Sequence, residues 1–538
     1  MIMAGSRHDP TRLFNSALAA LRAGNGPQAA KLARRLSKAA ANDPATWELR
    51  AMIASASGGY QDAVKFWKRA TKLAPQSTSV LNNLGGSYRQ LGEHDAAVQC
   101  YEKSLSIEPG QPDTFFNLGA AHIARDDAQA GREAYEKGLE FRPNDRDMRL
   151  NLSSALMKLG ELEGALSEYR QLTELGFDDP EIRHGVFLCL ARMGRLDEAE
   201  AEFQILQNMG ADDPQHDVDG SVLFLMKSQW ERGWRAYARR WDANPGSRRP
   251  FAQPWWTGQN LTGGKLLVWG DQGLGDEVMY ASMLNDLRPK VSKIILEVDP
   301  RNVDLFQRSF PDIQCLSRTG LSNDKMAACD MQIPLSDLAV YLRKTDSDFG
   351  LADPYLVPDP HRVATLREDY LDRVSDGTDV KLVGITWRSL NERIGRDKSI
   401  PLQDLRSVLS MPNAAFVDLQ YGNVSDERRA VESKYGVTVH KDKIIDPTVD
   451  IDAHAAQIAA MDLVITVSNT TAHLAGAMGV PTWVMIQNIP DRRWLIDRED
   501  SPWYGSIRLF RQELQGDWSQ PIAEVTKAFA AIVSGQSD

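Results

Sequence analysis

A chain of 538 residues is too long for a single hydrophobic core and implies about three folding units. Its 42% hydrophobic and 25% charged residues exclude a disordered polypeptide. A formal net charge of -11 argues against a protein whose main task is to grip phosphate backbones, so nucleic acid is not an expected partner.

The first residues, MIMAGSRHDP, lack the apolar stretch of a signal peptide. No window approaches the roughly 20 apolar residues that span a bilayer. Cys100, Cys189, Cys315 and Cys329 are scattered, with no metal-ligand spacing and no close pair, as in a reducing compartment. The expectation is a cytoplasmic protein with no membrane insertion.

Residues 10–213 repeat with a period of 34. Small residues recur at Ala29, Ala63, Ala97, Gly131, Ala165 and Ala199, and bulky rings follow four positions later at Trp67, Tyr101, Tyr135, Tyr169 and Phe203. The first repeat has Ala33 in the ring position. Gly24, Gly58, Gly92, Gly160 and Gly194 mark a tight turn between two helices, where glycine accepts a positive φ. Pro75, Pro109 and Pro143 close three repeats. The spacing predicts six helical hairpins stacked into a solenoid. These columns resemble the tetratricopeptide family, whose usual task is to hold a polypeptide in a concave groove.

Asn15, Asn83, Asn117 and Asn151 share one position of the first helix, two residues before its small-residue site. An amide offers donors and an acceptor together, matching the C=O and N–H of an extended peptide. The column is similar to the asparagine ladder of the eukaryotic protein O-GlcNAc transferases, which implies acceptor binding. The alternative is that asparagine is common at this position and bonds locally.

After Pro214 the 34-residue period is expected to stop. Residues 214–264 read as a capping helix, with Leu223, Met226, Trp230, Trp234, Tyr237 and Trp241 at helical spacing, followed by an ordered linker through Trp255 and Trp256.

From Lys265, short apolar strands alternate with helices, the pattern of parallel α/β layers. KLLVW, KIILEV and MQIPL predict strands of a first lobe over residues 265–357. KLVGITW, AFVDL, VTVH, DLVITV, TWVMI and IRLF predict those of a second lobe over 358–538, with a hinge near PYLVPDP. The last helix, near Pro521 to Val533, is expected to pack back across the first lobe. Two Rossmann-like lobes facing a cleft form the arrangement called GT-B.

Two strand-to-helix turns carry candidate chemistry, because open α/β sheets bind ligands at the carboxyl ends of their strands. The first is GDQGLGDE, with Gly275 and Asp276. Its spacing is not G-x-G-x-x-G, and Asp276 beside Glu277 would repel a phosphate, so the turn reads as an acidic catalytic group; the plainer reading is two carboxylates at a helix N-terminus. Asp271, Asp276 and Glu277 are also the carboxylates that could hold magnesium, although no metal-binding cluster stands out. The second is SNTTAHLAGAMGVP, where Ser468, Asn469, Thr470 and Thr471 crowd a helix start and His473 lies in its first turn. Such a terminus suits an anion, or is simply capped over a buried histidine. Arg388, then Arg393, Arg396 and Lys398, are expected at the same edge, where positive charge would complete an anion site.

WGDQGLGDEVMYASML, VGITWRS, RDKSIPL, DLVITVSNTTAHLAGAMGVPTW and RWLIDREDSPWYGSIRLFRQ, in that order, resemble the heptosyltransferase-like GT-B glycosyltransferases that follow tetratricopeptide arrays in bacteria. The resemblance implies a base at Asp276 and a nucleotide-sugar donor held by Gly275, Arg388, Lys398, Asn469, Thr470, Thr471 and His473, with no metal and no cofactor. Where the family often reads S-x-D-T-x-x-x-H, this chain has Asn469 in place of the aspartate, which suggests a donor whose charge is carried differently.

Domain order is similar to that of bacterial flagellin glycosyltransferases. That resemblance implies transfer of a nonulosonic acid, such as pseudaminic acid, from a CMP-activated donor to Ser or Thr of flagellin held by the repeats. Two rivals stay open: a heptosyltransferase-like enzyme of lipopolysaccharide or other glycoconjugate synthesis, and a non-catalytic repeat scaffold.

Overall fold

The computed structural model describes residues 9–210, 212–319, 328–374, 380–389 and 395–534. The chain divides into two compact units, Met1–Ala211 and Asp212–Asp538.

The first unit is built of helical hairpins. It opens with Pro10–Arg22 and Gly26–Ala39, and its last pair is Pro180–Arg192 and Leu196–Asn208. Aspartates set the starts: the Asp9, Asp43, Asp145 and Asp179 side chains each accept from a backbone N–H of the helix they precede, contacts typically worth ~1 kcal/mol. The small-residue and ring columns are buried as their spacing requires, from Ala29 and Ala63 to Tyr101 and Phe203. Rings fill space that glycine leaves open; a Cβ on Gly85 would lie 2.6 Å from the Tyr101 ring, and one on Gly119 2.5 Å from Tyr135. The turn glycines have φ between +72° at Gly24 and +79° at Gly160. Asp126, where the glycine column lapses, has φ +63°, a conformation that Asp and Asn tolerate better than other side chains.

The 34-residue period expected to end at Pro214 continues in the second unit. Asp213 caps the helix Pro214–Met226, as Asp179 caps Pro180–Arg192. Ser228 takes the positive φ of the turn, +56°, and the helix Trp230–Ala238 follows. Gly233 and Tyr237 occupy the small-residue and ring positions, both buried. A seventh hairpin thus replaces the expected capping helix; the period was hidden because Ser228 stands where five other turns have glycine.

The rest of the unit holds two sheets. The first has the order β3-β2-β1-β4, formed by β1 (Leu261–Trp269), β2 (Val291–Val298), β3 (Gln314–Ser317) and β4 (Met331–Pro334), all parallel. The second has the order β10-β11-β9-β8-β5-β6-β7, formed by β5 (Lys381–Ile385), β6 (Ala414–Asp418), β7 (Val439–Lys441), β8 (Leu463–Val467), β9 (Thr482–Ile486), β10 (Asp500–Ser501) and β11 (Tyr504–Arg511). It is parallel except at β10 and β11. β3 and β10, the two strands without a sequence forecast, are short edge strands.

The closing helix, Ser519–Val533, packs on the second lobe and not across the first. Phe529 sets its ring against Phe416 and Trp483, at 6.1 and 6.3 Å between centroids, and these aromatic partners fix the side on which the helix lands.

Candidate functional site

β1 runs into the glycine-rich turn and then the helix Leu274–Ala281, with Asp276 and Glu277 in its first turn. β8 runs into the helix Thr470–Ala477. The two helix starts meet: a Cβ on Gly275 would stand 3.1 Å from His473 Cδ2 and 3.4 Å from Thr470 Oγ1, so glycine permits the approach.

Asp276 is held from the other lobe. Arg493 Nε and Nη2 donate to its Oδ1 at 2.8 and 2.5 Å, and among the described residues no hydrogen bond reaches Oδ2. The same guanidinium donates through Nη1 to Asp491 Oδ2 at 2.8 Å, and Lys398 Nζ donates to that oxygen at 2.9 Å. Lys398, Asp491, Arg493 and Asp276 therefore form one alternating chain of charge. Burial acts against Asp491, but Arg493 and Lys398 outweigh it and hold its carboxyl well below the ordinary range.

Arg492 adds a further cation. It donates to the hydroxyls of Tyr237 and Tyr280 at 3.1 and 3.4 Å, and its Nε is buried with no hydrogen-bond partner among the described residues. Among the described residues no carboxylate stands within ion-pair distance of it.

His473 is buried, stacked on Trp494 with centroids 5.2 Å apart, and its Nδ1 lies 2.9 Å from the Tyr504 hydroxyl. Burial, helped by Arg493, pushes its pKa down to about 4, so the ring is neutral near pH 7. Trp494 Nε1 in turn donates to Ser468 Oγ at 2.7 Å.

The remaining candidates go elsewhere. Asn469 Oδ1 accepts from Thr471 N and Ala472 N at 3.0 and 3.3 Å, capping the helix. Its Nδ2 donates to Thr386 Oγ1 at 2.8 Å and to the Arg388 carbonyl at 3.3 Å. That amide is committed to the fold through both its oxygen and its nitrogen. Thr471 is buried with its hydroxyl 3.3 Å from His454 Nε2, inside the lobe. Arg388 lies at the same strand edge as Asn469, but its guanidinium pairs with Glu427 at 2.9 Å. Arg396 is exposed, and Arg393 lies outside the described residues.

The three carboxylates of the glycine-rich turn part company: Asp271 pairs with Arg240, Asp276 with Arg493 and Glu277 with Arg318. Among the described residues no group of three His, Cys, Asp or Glu is placed to hold a metal ion. Glu277 is buried, which pushes its carboxyl up to about 7 against the pull of Asp299 N, Asn302 and Arg318. In the first unit Asn15 and Asn83 are exposed and Asn117 and Asn151 half-buried. Asn117 Nδ2 donates to Asn82 Oδ1 of the preceding hairpin at 3.2 Å, a local bond that leaves its carbonyl oxygen uncommitted by that contact.

Asp491, Arg492, Arg493 and Tyr504 had no role in the sequence reading. The signal for the first three was the run DRRW, whose adjacent arginines follow a strand by only a few residues and look like surface charge until the fold turns them inward.

A family model described as "TPR repeat" matches residues 85–124, and one described as "Tetratricopeptide repeat" matches 122–186. The chain is 31% identical over 325 residues to Protein FlbA of Caulobacter vibrioides, covering 57% of this chain and 54% of that protein. The chain thus spans about half the length of the curated relative it matches. Among solved structures, it is similar to a tetratricopeptide repeat protein from Parabacteroides merdae, with a TM-score of 0.36 and 16% identity over 44% of this chain and 93% of that one. PilF from Pseudomonas aeruginosa gives 0.33 and 18% over 38% and 94%, and MamA from Desulfovibrio magneticus gives 0.30 and 20% over 31% and 96%. No helix among the described residues is long and apolar enough to cross a membrane.

Proposed function

We propose that this chain is a protein O-glycosyltransferase of the GT-B type, working without a metal ion, whose repeats hold a protein acceptor, flagellin being the candidate, in the cytoplasm. The observation that carries this reading is the meeting of two strand-end turns, where Gly275 and Asp276 of one lobe stand against Thr470 and His473 of the other. One turn offers a carboxylate whose Oδ2 takes no hydrogen bond among the described residues, the other a helix N-terminus among cations. The tetratricopeptide matches support the acceptor-holding role.

In this mechanism a Ser or Thr hydroxyl of the acceptor attacks the anomeric carbon of a nucleotide sugar. Its proton passes to Asp276 Oδ2, the bond between the anomeric carbon and the phosphate oxygen breaks, and the electron pair leaves with the nucleotide phosphate. Lys398, Arg492 and Arg493 offset the charge that develops on the departing phosphate, and Thr470 offers its hydroxyl and backbone N–H. A CMP-activated nonulosonic acid is the proposed donor, its carboxylate facing the same cations.

The test is intact-mass analysis of flagellin after incubation with the protein and a panel of nucleotide sugars. Wild type should add the mass of a sugar from one donor, and Asp276→Asn should add none while that donor still raises thermal stability. No added mass with any donor sinks the proposal; undiminished transfer by Asp276→Asn removes Asp276 as the base.

A further inference from the structure

The seventh hairpin repeats the form of the other six but has different neighbours. Trp230 sets its ring 4.6 Å from Phe349, and Trp234 lies at 6.2 and 6.3 Å from Tyr280 and Trp503. A cap for a solenoid needs only such an apolar face. This hairpin and the residues just past it also extend polar groups, two of which lead toward Asp276.

Two routes are visible. Tyr237, in the ring column, accepts a hydrogen bond from Arg492 Nη2 at 3.1 Å, and the guanidinium carbon sits 4.3 Å from the centre of its ring. Arg492 is the residue before Arg493, which clamps Asp276. Just past the hairpin, Arg240 donates through Nη2 to Asp271 Oδ2 at 2.9 Å and to Ser336 Oγ at 2.7 Å, and pairs with Asp337 at 2.6 Å. Asp271 opens the glycine-rich turn that carries Asp276. Arg240 is itself sandwiched, 4.2 Å from the Tyr237 ring and 4.4 Å from the Trp241 ring. Tyr237 thus touches both arginines, one next in sequence to the clamp on the aspartate and the other bonded to the start of its turn.

We propose that the seventh hairpin is a positioning element of the transfer site, with Tyr237 and Arg240 as positioning residues that fix the Asp276 carboxylate through Arg492–Arg493 and through Asp271. This rests on the function proposed above. It assigns a repeat to the geometry of the transfer site.

The ring column supplies its own control. Tyr101 occupies the same position in the third hairpin, buried in the core of the first unit and remote from Asp276 in the chain. Tyr237→Phe keeps the ring over Arg492 and removes only the hydroxyl. It should lower kcat about tenfold, the effect of losing one charge-assisted hydrogen bond, with KM for donor and acceptor changed less than twofold and Tm lowered by only a few degrees. Tyr101→Phe should leave kcat as it is. Hydrogen exchange of the backbone over residues 270–281 should quicken in Tyr237→Phe and in Arg240→Gln, and not in Tyr101→Phe. An unchanged kcat together with unchanged exchange in Tyr237→Phe overturns the proposal. If wild type transfers no sugar, the reading of function fails by itself, and the exchange measurement still decides whether the hairpin holds the turn.

Discussion

Arg493 reaches Asp276 across 217 positions of sequence, donating twice to a single carboxylate oxygen. The pair joins the loop after β9 to the turn after β1, one from each lobe, and it orients the second oxygen of Asp276 by fixing the first. The same guanidinium holds Asp491, so one side chain organises two carboxylates.

Arg493→Ala should therefore leave Asp276 and Asp491 without their shared partner and destabilise the second unit by about 3–5 kcal/mol, the usual cost of breaking a buried pair. Arg493→Lys keeps the charge but cannot span both carboxylates. It should fold, as read by thermal unfolding, and lose most transfer activity. Full activity in Arg493→Lys would show that the planar two-way clamp is not needed.

The buried histidine gives a pH signature. His473 titrates at about 4 in the folded state, below the ordinary 6.5, so the unfolded chain binds the extra proton between those values. Stability from this residue is present above pH 6.5 and is lost as pH falls toward 4. Against a His473→Gln variant, the advantage of wild type in urea unfolding should shrink by about 2 kcal/mol between pH 7 and pH 5. A constant gap would mean that the histidine is already solvated.

Asp126 marks the one turn of the first unit where the glycine column carries a side chain at φ +63°. Asp126→Val should destabilise the array by ~1–2 kcal/mol, since a β-branched residue resists the left-handed region. Asp126→Gly should be neutral or slightly stabilising. Thermal unfolding should show a lower Tm for Asp126→Val and no loss for Asp126→Gly.

Replacing Asn83, Asn117 and Asn151 together with Ala should weaken capture of the acceptor at least tenfold if the column binds a peptide backbone, each lost hydrogen bond being worth roughly 0.5–1.5 kcal/mol. The loss of the Asn117–Asn82 bond alone should cost no more than about 1 kcal/mol of stability. Circular dichroism separates the two effects. Undiminished pull-down would leave the column with its local role only.

Much of the fold was legible because it repeats. Ala29 to Ala199 and Trp67 to Phe203 are visible in sequence since each sits in the same packing environment every 34 residues. The strands from Lys265 to Phe510 showed as buried apolar runs. The seventh hairpin was not legible, because Ser228 replaces the signalling glycine and its rings pack on the α/β unit. The site was half legible. Gly275, Asp276, Thr470 and His473 could be placed since a strand hands over to a helix at each. Arg493 could not, because an ion pair between residues so far apart leaves no local pattern, and neither could the pairing of Arg388 with Glu427, for the same reason.

The seventh hairpin also bears on how this chain can be divided. A fragment starting at Lys265, where the sequence first looks like an α/β enzyme, would uncover the surfaces of Tyr280, Phe349 and Trp503 that Trp230 and Trp234 cover. Bare aromatic surface of that size invites self-association. A fragment beginning at Asp212, with the last repeat still attached, keeps those rings covered.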